Sequence, residues 1–377
     1  MTLHRKAVIL VVLFGLVTAL AACTPAAAPT PTPTKAPAAA PTKAAEATKP
    51  PAPVPTTAPA TPTPKPVTIK IGNIQSISEA GIYIAMERGY FKEQGITIEL
   101  NAFRNTAEAM APLATEKLDI LIASLSQALL AAVDRGVEMR IAAGQGVSQP
   151  NWEFGWVVLR KDLADSGKVK TPADLKGEKI AVSSLGGLGD QIAQTLLEQA
   201  GLKPTDAEIV ALPFAEQTPA YNNKVLAAGY SVEPYIATGF QQGFTTKWIP
   251  TSRIFGGKLQ AGIVVFGPAL LKDQDAGRRW MIAYLKGVRD YLKTFTTKEG
   301  RTEVVNYLVK YSSVKDPKLY DVMEMPYIDP NGLLDKKSTD LQYKFYVDKG
   351  LYTGKKTFDD ITDMSYVEYA VQKLGKQ

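Results

Sequence analysis

From Val67 onward the chain alternates short apolar runs of strand period with longer stretches of helix period, and after Gly155 it does so a second time. Few patterns limit a fold more, because strand–helix–strand units at this spacing pair their strands in parallel and cover both faces of a sheet. Val67–Ile71 and Ile96–Leu100 alternate apolar with polar residues and read as strands. Between them, Ser78 to Arg88 reads as a helix with Ser78 as N-cap and Gly89 just beyond its end. Helices over 106–117 and 127–135 flank the apolar run 119–123, and 139–143 completes the set.

The second set opens with a strand at 155–160 and one capped helical turn over 171–177. A strand at 179–183, a glycine-rich loop, a helix over 191–200 and a strand at 207–212 follow. The run 261–266 echoes 156–159 and is expected to be the return crossing. Over 273–295 an amphipathic helix sets Trp280, Met281, Tyr284, Val288, Tyr291 and Phe295 on one stripe, which reads as core. The remainder reads as mostly helical. The expected architecture is two α/β lobes with a ligand cleft between them, 67–155 with 255–377 forming one and 156–254 the other.

Everything before Val67 differs in kind. His4-Arg5-Lys6 precedes 14 apolar residues, Ala7 to Leu20, too short to span a membrane comfortably but right for a signal-peptide core. Leu20-Ala21-Ala22-Cys23 resembles a bacterial lipobox, which implies a signal peptide over 1–22 and a lipid on Cys23; an ordinary signal peptide or an uncleaved anchor is the plainer alternative. Of the 26 prolines, 14 lie between Thr24 and Pro66, where Val54 is the only large aliphatic residue and no aromatic occurs. Such a segment cannot bury enough surface to fold. Residues 23–66 therefore read as a lipid-bearing tether, able to reach roughly 130 Å as polyproline II.

The only His is His4 and the only Cys is Cys23. Beyond them the chain has no imidazole and no thiol, which removes Ser-His-Asp and Cys-His catalysis, disulfides, and metal sites built on those ligands. Without residues 1–22 there remain 41 basic against 37 acidic residues, interspersed, so no nucleic-acid footprint is present. No cofactor motif emerges: Gly187-Leu-Gly-Asp-Gln-Ile lacks the third glycine of a dinucleotide fingerprint, and no phosphate-binding Gly-x-x-x-x-Gly-Lys loop exists.

In open α/β sheets ligands bind beyond the carboxyl ends of strands. That rule nominates Gln75 and Ser76 with Tyr83 on the next helix, Arg104, then Ser124 and Ser126, then Asn151 and Trp152. The other lobe offers Ser183, Ser184, Gly186, Gly187, Glu233 and Tyr235. Residues 183–189 join a strand to a helix N-terminus, where free N–H groups favour an anion, unless Asp190 already takes those donors. Arg104 suits a sulfonate or carboxylate, although a lone loop arginine is more often a surface ion-pair partner. Trp152 in its polar loop is a candidate for stacking on a planar ligand, whereas Trp156 in an apolar strand reads as core. Glu233 either caps a turn or accepts from a ligand amine.

Four motifs in order carry a resemblance. Gly89-Tyr-Phe-Lys-Glu-Gln-Gly-Ile-Thr-Ile-Glu-Leu100, Leu113-Ala-Thr-Glu-Lys-Leu-Asp119, Asp174-Leu-Lys-Gly-Glu-Lys-Ile-Ala-Val182 and Glu233-Pro-Tyr235 resemble elements of the nitrate/sulfonate/taurine-binding (NMT1/THI5-like) receptors of ABC transporters. The resemblance covers essentially all of 67–300 and implies a periplasmic-binding-protein type II-like fold. It further implies a monomeric, extracytoplasmic solute-binding lipoprotein that delivers a nitrate-, sulfonate- or taurine-like anion, or a pyrimidine thiamine precursor, to permease and ATPase subunits. Leu226 stands where the family usually has an acid, which implies a second lobe trimmed around that point. Two alternatives share the scaffold: a non-transporting sensor or adhesion module, and a THI5-like pyrimidine synthase. The synthase depends on an active-site His, and none follows residue 4.

Overall fold

Two five-stranded sheets share one internal order in the computed structural model, which describes residues 65–377. The expected signal segment 1–22, Cys23 and nearly all of the tether lie outside the described residues. In chain order the strands are β1 (Val67–Asn73), β2 (Ile96–Ala102), β3 (Ile120–Ala123), β4 (Arg140–Gly144), β5 (Val147–Ser148) and β6 (Gly155–Arg160). Then come β7 (Lys179–Val182), β8 (Glu208–Ala211), β9 (Ala228–Val232), β10 (Thr245–Pro250), β11 (Leu259–Gln260) and β12 (Ile263–Phe266).

The first sheet runs β2-β1-β3-β12-β4 and the second β8-β7-β9-β6-β10. In the first, β1 lies parallel to β2 and β3, and β12 runs antiparallel between β3 and β4. In the second, β7 lies parallel to β8 and β9, and β6 runs antiparallel between β9 and β10. The odd strand of each sheet is therefore the one the chain reaches by crossing. β6 follows directly from the first sheet, and β12 is the return, as the echo between 156–159 and 261–266 suggested. Beside these crossings β5 and β11 pair as a two-stranded ribbon, Leu259 opposite Ser148. The result is a two-lobed α/β molecule whose sheets are joined by a double crossing.

Core strands explain themselves. β3 (Ile-Leu-Ile-Ala) and β12 (Ile-Val-Val-Phe) are buried throughout, the pattern of strands covered on both faces. Helix Gln274–Thr297 buries Trp280, Met281, Tyr284, Val288 and Tyr291 against the first sheet, while Phe295 stays partly exposed. It crosses helix Ala80–Glu87 at glycines: a Cβ on Gly287 would lie 2.0 Å from the Gly81 carbonyl oxygen, so no larger residue allows this approach.

Several elements depart from the sequence reading. The helix expected from Ser78 begins as a 3₁₀ turn, Ile77–Glu79, capped by Ser76, before Ala80–Glu87 becomes α-helical. Helix Leu188–Gln199 starts three residues early, with Asp190 in its first turn. Helix Phe214–Asn222 and strands β9 and β10 carried no clear signal, because Pro219 sits inside the helix and Gly229 inside β9. Leu226 is a core residue of the second lobe. That residue packs with Val158, Ala181, Tyr221 and Ile236, and Arg160 Nη1 donates to its carbonyl at 2.8 Å.

Candidate ligand cleft

The carboxyl ends of the two sheets face each other across a narrow cleft with a cavity volume of about 70 Å3. Each first-lobe loop enters it for a local reason. After β1 the chain turns at Ser76, whose Oγ accepts from Ser78 N–H at 3.4 Å, and Glu79 follows. After β2, Asn105 caps helix Thr106–Ala114 by accepting from Glu108 N–H at 3.1 Å. After β3 come Ser124 and then Ser126, which caps helix Gln127–Asp134 by accepting from Leu129 N–H at 3.3 Å. After β4 comes Gln145.

The second lobe presents Ser183 to Gly189 after β7, with Phe214, Tyr230 and Val232 behind them. Gly186 takes a left-handed φ of +67°, and a Cβ there would lie 2.6 Å from Gln127 Oε1. Its carbonyl accepts from Gln127 N–H at 2.9 Å, so loop and opposing helix touch across the cleft. Its own N–H donates to Asp190 Oδ2 at 2.8 Å. The donor that was a candidate for an anion is thus held by the chain's own carboxylate.

Charge in the cleft is one-sided. Among the lining residues there is no Lys, Arg or His, and one acid, Glu79, which is 1% exposed. Glu79 Oε2 accepts from Asn73 Nδ2 at 3.1 Å and from the Tyr83 hydroxyl, and Oε1 accepts from Ile74 N–H at 3.1 Å. Burial pushes its carboxyl up to about 7 despite those hydrogen bonds. Gln145, also 1% exposed, has neither side-chain amide atom hydrogen-bonded within the protein.

Of the residues nominated from sequence, Ser76, Ser124, Ser126, Ser183, Ser184, Gly186 and Gly187 meet at the cleft. The others lie elsewhere. Gln75 adopts φ +55° and its carbonyl accepts from Ser313 N–H at 3.4 Å. Tyr83 is buried beneath the wall, stacked on Tyr311 at 5.2 Å. Arg104 is 70% exposed at a shallow neighbouring groove, 2.8 Å from Glu108 and 3.8 Å from Glu216 of the opposite lobe. It is the surface ion-pair partner. Asn151 occupies a left-handed turn, and Trp152 packs edge-on against Tyr327.

Glu233 is fully buried outside the cleft lining. Its oxygens accept from Ala237 N–H (3.0 Å) and Glu324 N–H (3.3 Å), with Lys247 Nζ at 3.7 Å, and burial raises its carboxyl to about 7. It ties the second sheet to the C-terminal segment. Tyr235 stacks on Phe214 at 5.7 Å, one layer behind the wall.

Glu79, Gln145, Phe154, Phe214, Tyr230 and Val232 line the cleft without having been nominated. Gln145 was within reach of the carboxyl-end rule, two residues past the apolar run 139–143. An acid four residues before Tyr83 was the only trace of Glu79. Among the described residues no cluster of three His, Cys, Asp or Glu side chains is placed to hold a metal.

Known proteins share this geometry. The nitrate-binding protein NrtA of Synechocystis PCC 6803 superposes with a TM-score of 0.70 at 16% identity, over 83% of this chain and 90% of that one. The alkanesulfonate-binding protein SsuA of Xanthomonas axonopodis pv. citri, bound to MOPS, gives 0.64 at 14%, over 79% and 99%. At these identities the likeness shows the fold alone, that of the periplasmic binding proteins. A putative thiamine biosynthesis protein of Haemophilus influenzae is 30% identical over 131 residues, which is 35% of this chain and 38% of that relative's length. The family described as NMT1/THI5 like matches residues 76–294, more than half of the chain, and the protein belongs to it.

Proposed function

We propose that this protein is the extracytoplasmic solute-capturing component of an ABC importer. The observation that carries the reading is the cleft itself: two sheets of one order, facing by their carboxyl ends, joined by two crossings, and touching at Gln127 and Gly186. Such a molecule opens at its hinge, admits a small polar solute and shuts around it, and a permease reads the closed form. In this reading residues 67–155 with 255–377 form one lobe and 156–254 the other. Residues 1–22 direct export, Cys23 carries a lipid, and 23–66 hold a monomeric receptor away from the membrane. ATP is hydrolysed by a separate subunit. The names of the structural neighbours support import; none of them assigns a solute to this chain. The described residues contain neither His nor Cys, so imidazole or thiol chemistry has no residue to carry it at the cleft.

A thermal-shift panel on the full chain tests this reading, using nitrate, taurine, alkane- and arylsulfonates, carboxylates, carboxamides and pyrimidines. A solute at about 100 times its Kd adds roughly 2.7 kcal/mol, a shift of several degrees. One selective class is the expected result; a flat response across the panel contradicts it.

A further inference from the structure

We infer that the solute is uncharged and carries a hydrogen-bond donor beside an acceptor, as carboxamides, lactams and ureas do, and that the Gln145 side chain reads this pair. The inference rests on the receptor reading above and sharpens its ligand.

Gln145 is the starting point. A primary amide offers two donors and an acceptor with two lone pairs, and buried groups of this kind are almost always paired. Here both Oε1 and Nε2 are buried and unpaired, on a residue that lines the cleft. The site is also shaped around it. A Cβ on Gly262 would lie 2.6 Å from Gln145 Oε1, so the glycine leaves the room in which the amide lies. The backbone N–H of Gln145 donates to the Gly262 carbonyl at 2.9 Å and fixes the side chain's root. A buried amide with donor and acceptor both unpaired is complementary to a ligand presenting acceptor and donor side by side.

Charge argues separately against an anion. The cleft wall holds no cation, and Arg104, the nearest one considered, is engaged by Glu108 and Glu216 outside it. Receptors can also hold anions on helix N-termini alone. At three such termini the chain's own side chains already take one N–H: Asn105 that of Glu108, Ser126 that of Leu129, and Asp190 that of Gly186, just ahead of its helix. At the fourth, the head of helix Ala80–Glu87, Glu79 brings its own carboxyl. A sulfonate or nitrate would meet a buried acid, Glu79, and no cation along this wall. The hydroxyl of Ser124 remains for a neutral partner, and Phe154 and Phe214 give it apolar walls.

The test uses matched pairs on the full chain: benzamide against benzoate and benzenesulfonate, pyrrolidinone and ethyleneurea against nitrate and taurine. Neutral members are expected to raise the melting temperature and charged ones to leave it unchanged. Gln145→Met fills the same space without polar atoms. It should weaken the best neutral probe tenfold or more, while the unliganded variant melts no lower than wild type, since it removes two unpaired polar atoms. A residue needed only for structure would lower that melting temperature. An anion that binds with undiminished affinity to Gln145→Met overturns the inference and leaves the receptor reading standing. Silence from every probe, charged and neutral, removes both.

Discussion

The two walls of the cleft come from sheets of identical strand order and yet are built from different chemistry. The first lobe presents side chains: Ser76, Asn105, Ser124, Ser126, Gln145 and the buried acid Glu79. The second presents backbone and apolar surface: the glycines between Ser183 and Gly189, with Phe214, Tyr230 and Val232 behind. Topology places a site at the strand ends, but what it recognises depends on the loops grafted there. On the receptor reading proposed above, the first lobe selects the solute and the second covers it.

The largest test of that contrast concerns its two buried carboxyls. Glu79 lies under the first wall and Glu233 in the second lobe away from the cleft, and burial raises each from 4.5 to about 7. Raised acids favour the folded state while protonated. Their contribution is fully present below about pH 4.5 and is lost as pH rises through about 7, by about 3 kcal/mol for each group. Glu79→Gln and Glu233→Gln should each flatten the fall in urea stability between pH 5 and 8. Only Glu79→Gln should also change the pH dependence of solute binding. Equal effects of both variants on binding would erase the distinction between the cleft wall and the buried acid behind it.

Closure comes next. Gly186→Val puts a β-branched residue at φ +67° and a Cβ 2.6 Å from Gln127 Oε1. Affinity for the strongest solute of the panel should fall about a hundredfold by calorimetry, on the scale of overpacking costs of 1–3 kcal/mol. Wild-type affinity would show that the lobes need not meet there.

A smaller effect separates the walls directly. Removing one first-wall hydroxyl, Ser124→Ala, should weaken binding about fivefold to tenfold, the worth of one net hydrogen bond. Ser183→Ala on the covering side should change affinity less than about twofold. The reverse order would move recognition to the second lobe.

The smallest effect is expected at Trp152. Its ring packs on Tyr327 rather than facing the cleft, so Trp152→Ala should lower the melting temperature and leave affinity unchanged. A weakened solute with an unchanged melting temperature would return Trp152 to the site.

What the sequence disclosed follows the same division. Strands that are apolar throughout or alternate cleanly, such as β1, β3, β7 and β12, were readable from period alone, and so was the stripe from Trp280 to Tyr291. Helix Phe214–Asn222 and β9 were not, because Pro219 and Gly229 interrupt patterns that tertiary packing sustains. Serines at strand ends were found because their place depends only on topology. Glu79 and Gln145 were not, since a polar residue becomes informative only once its burial is known. Asn151, Trp152 and Glu233 were assigned to the ligand because they follow strands. Trp152 and Glu233 instead face the segment around Glu324 and Tyr327, which has no periodic signature to announce its position.

Closing of the two lobes on a solute is the central claim, and one amide reports it. Gln127 opens helix Gln127–Asp134, so its N–H has no acceptor within the helix, and its partner is the Gly186 carbonyl of the opposite lobe at 2.9 Å. Hydrogen exchange at that amide, measured on the full chain with and without the strongest solute of the panel, reads closure and nothing else. Exchange that slows in step with occupancy, while β3 and β7 stay as they were, is the result this account predicts. A bound solute that leaves the Gln127 amide exchanging at its unliganded rate would contradict it.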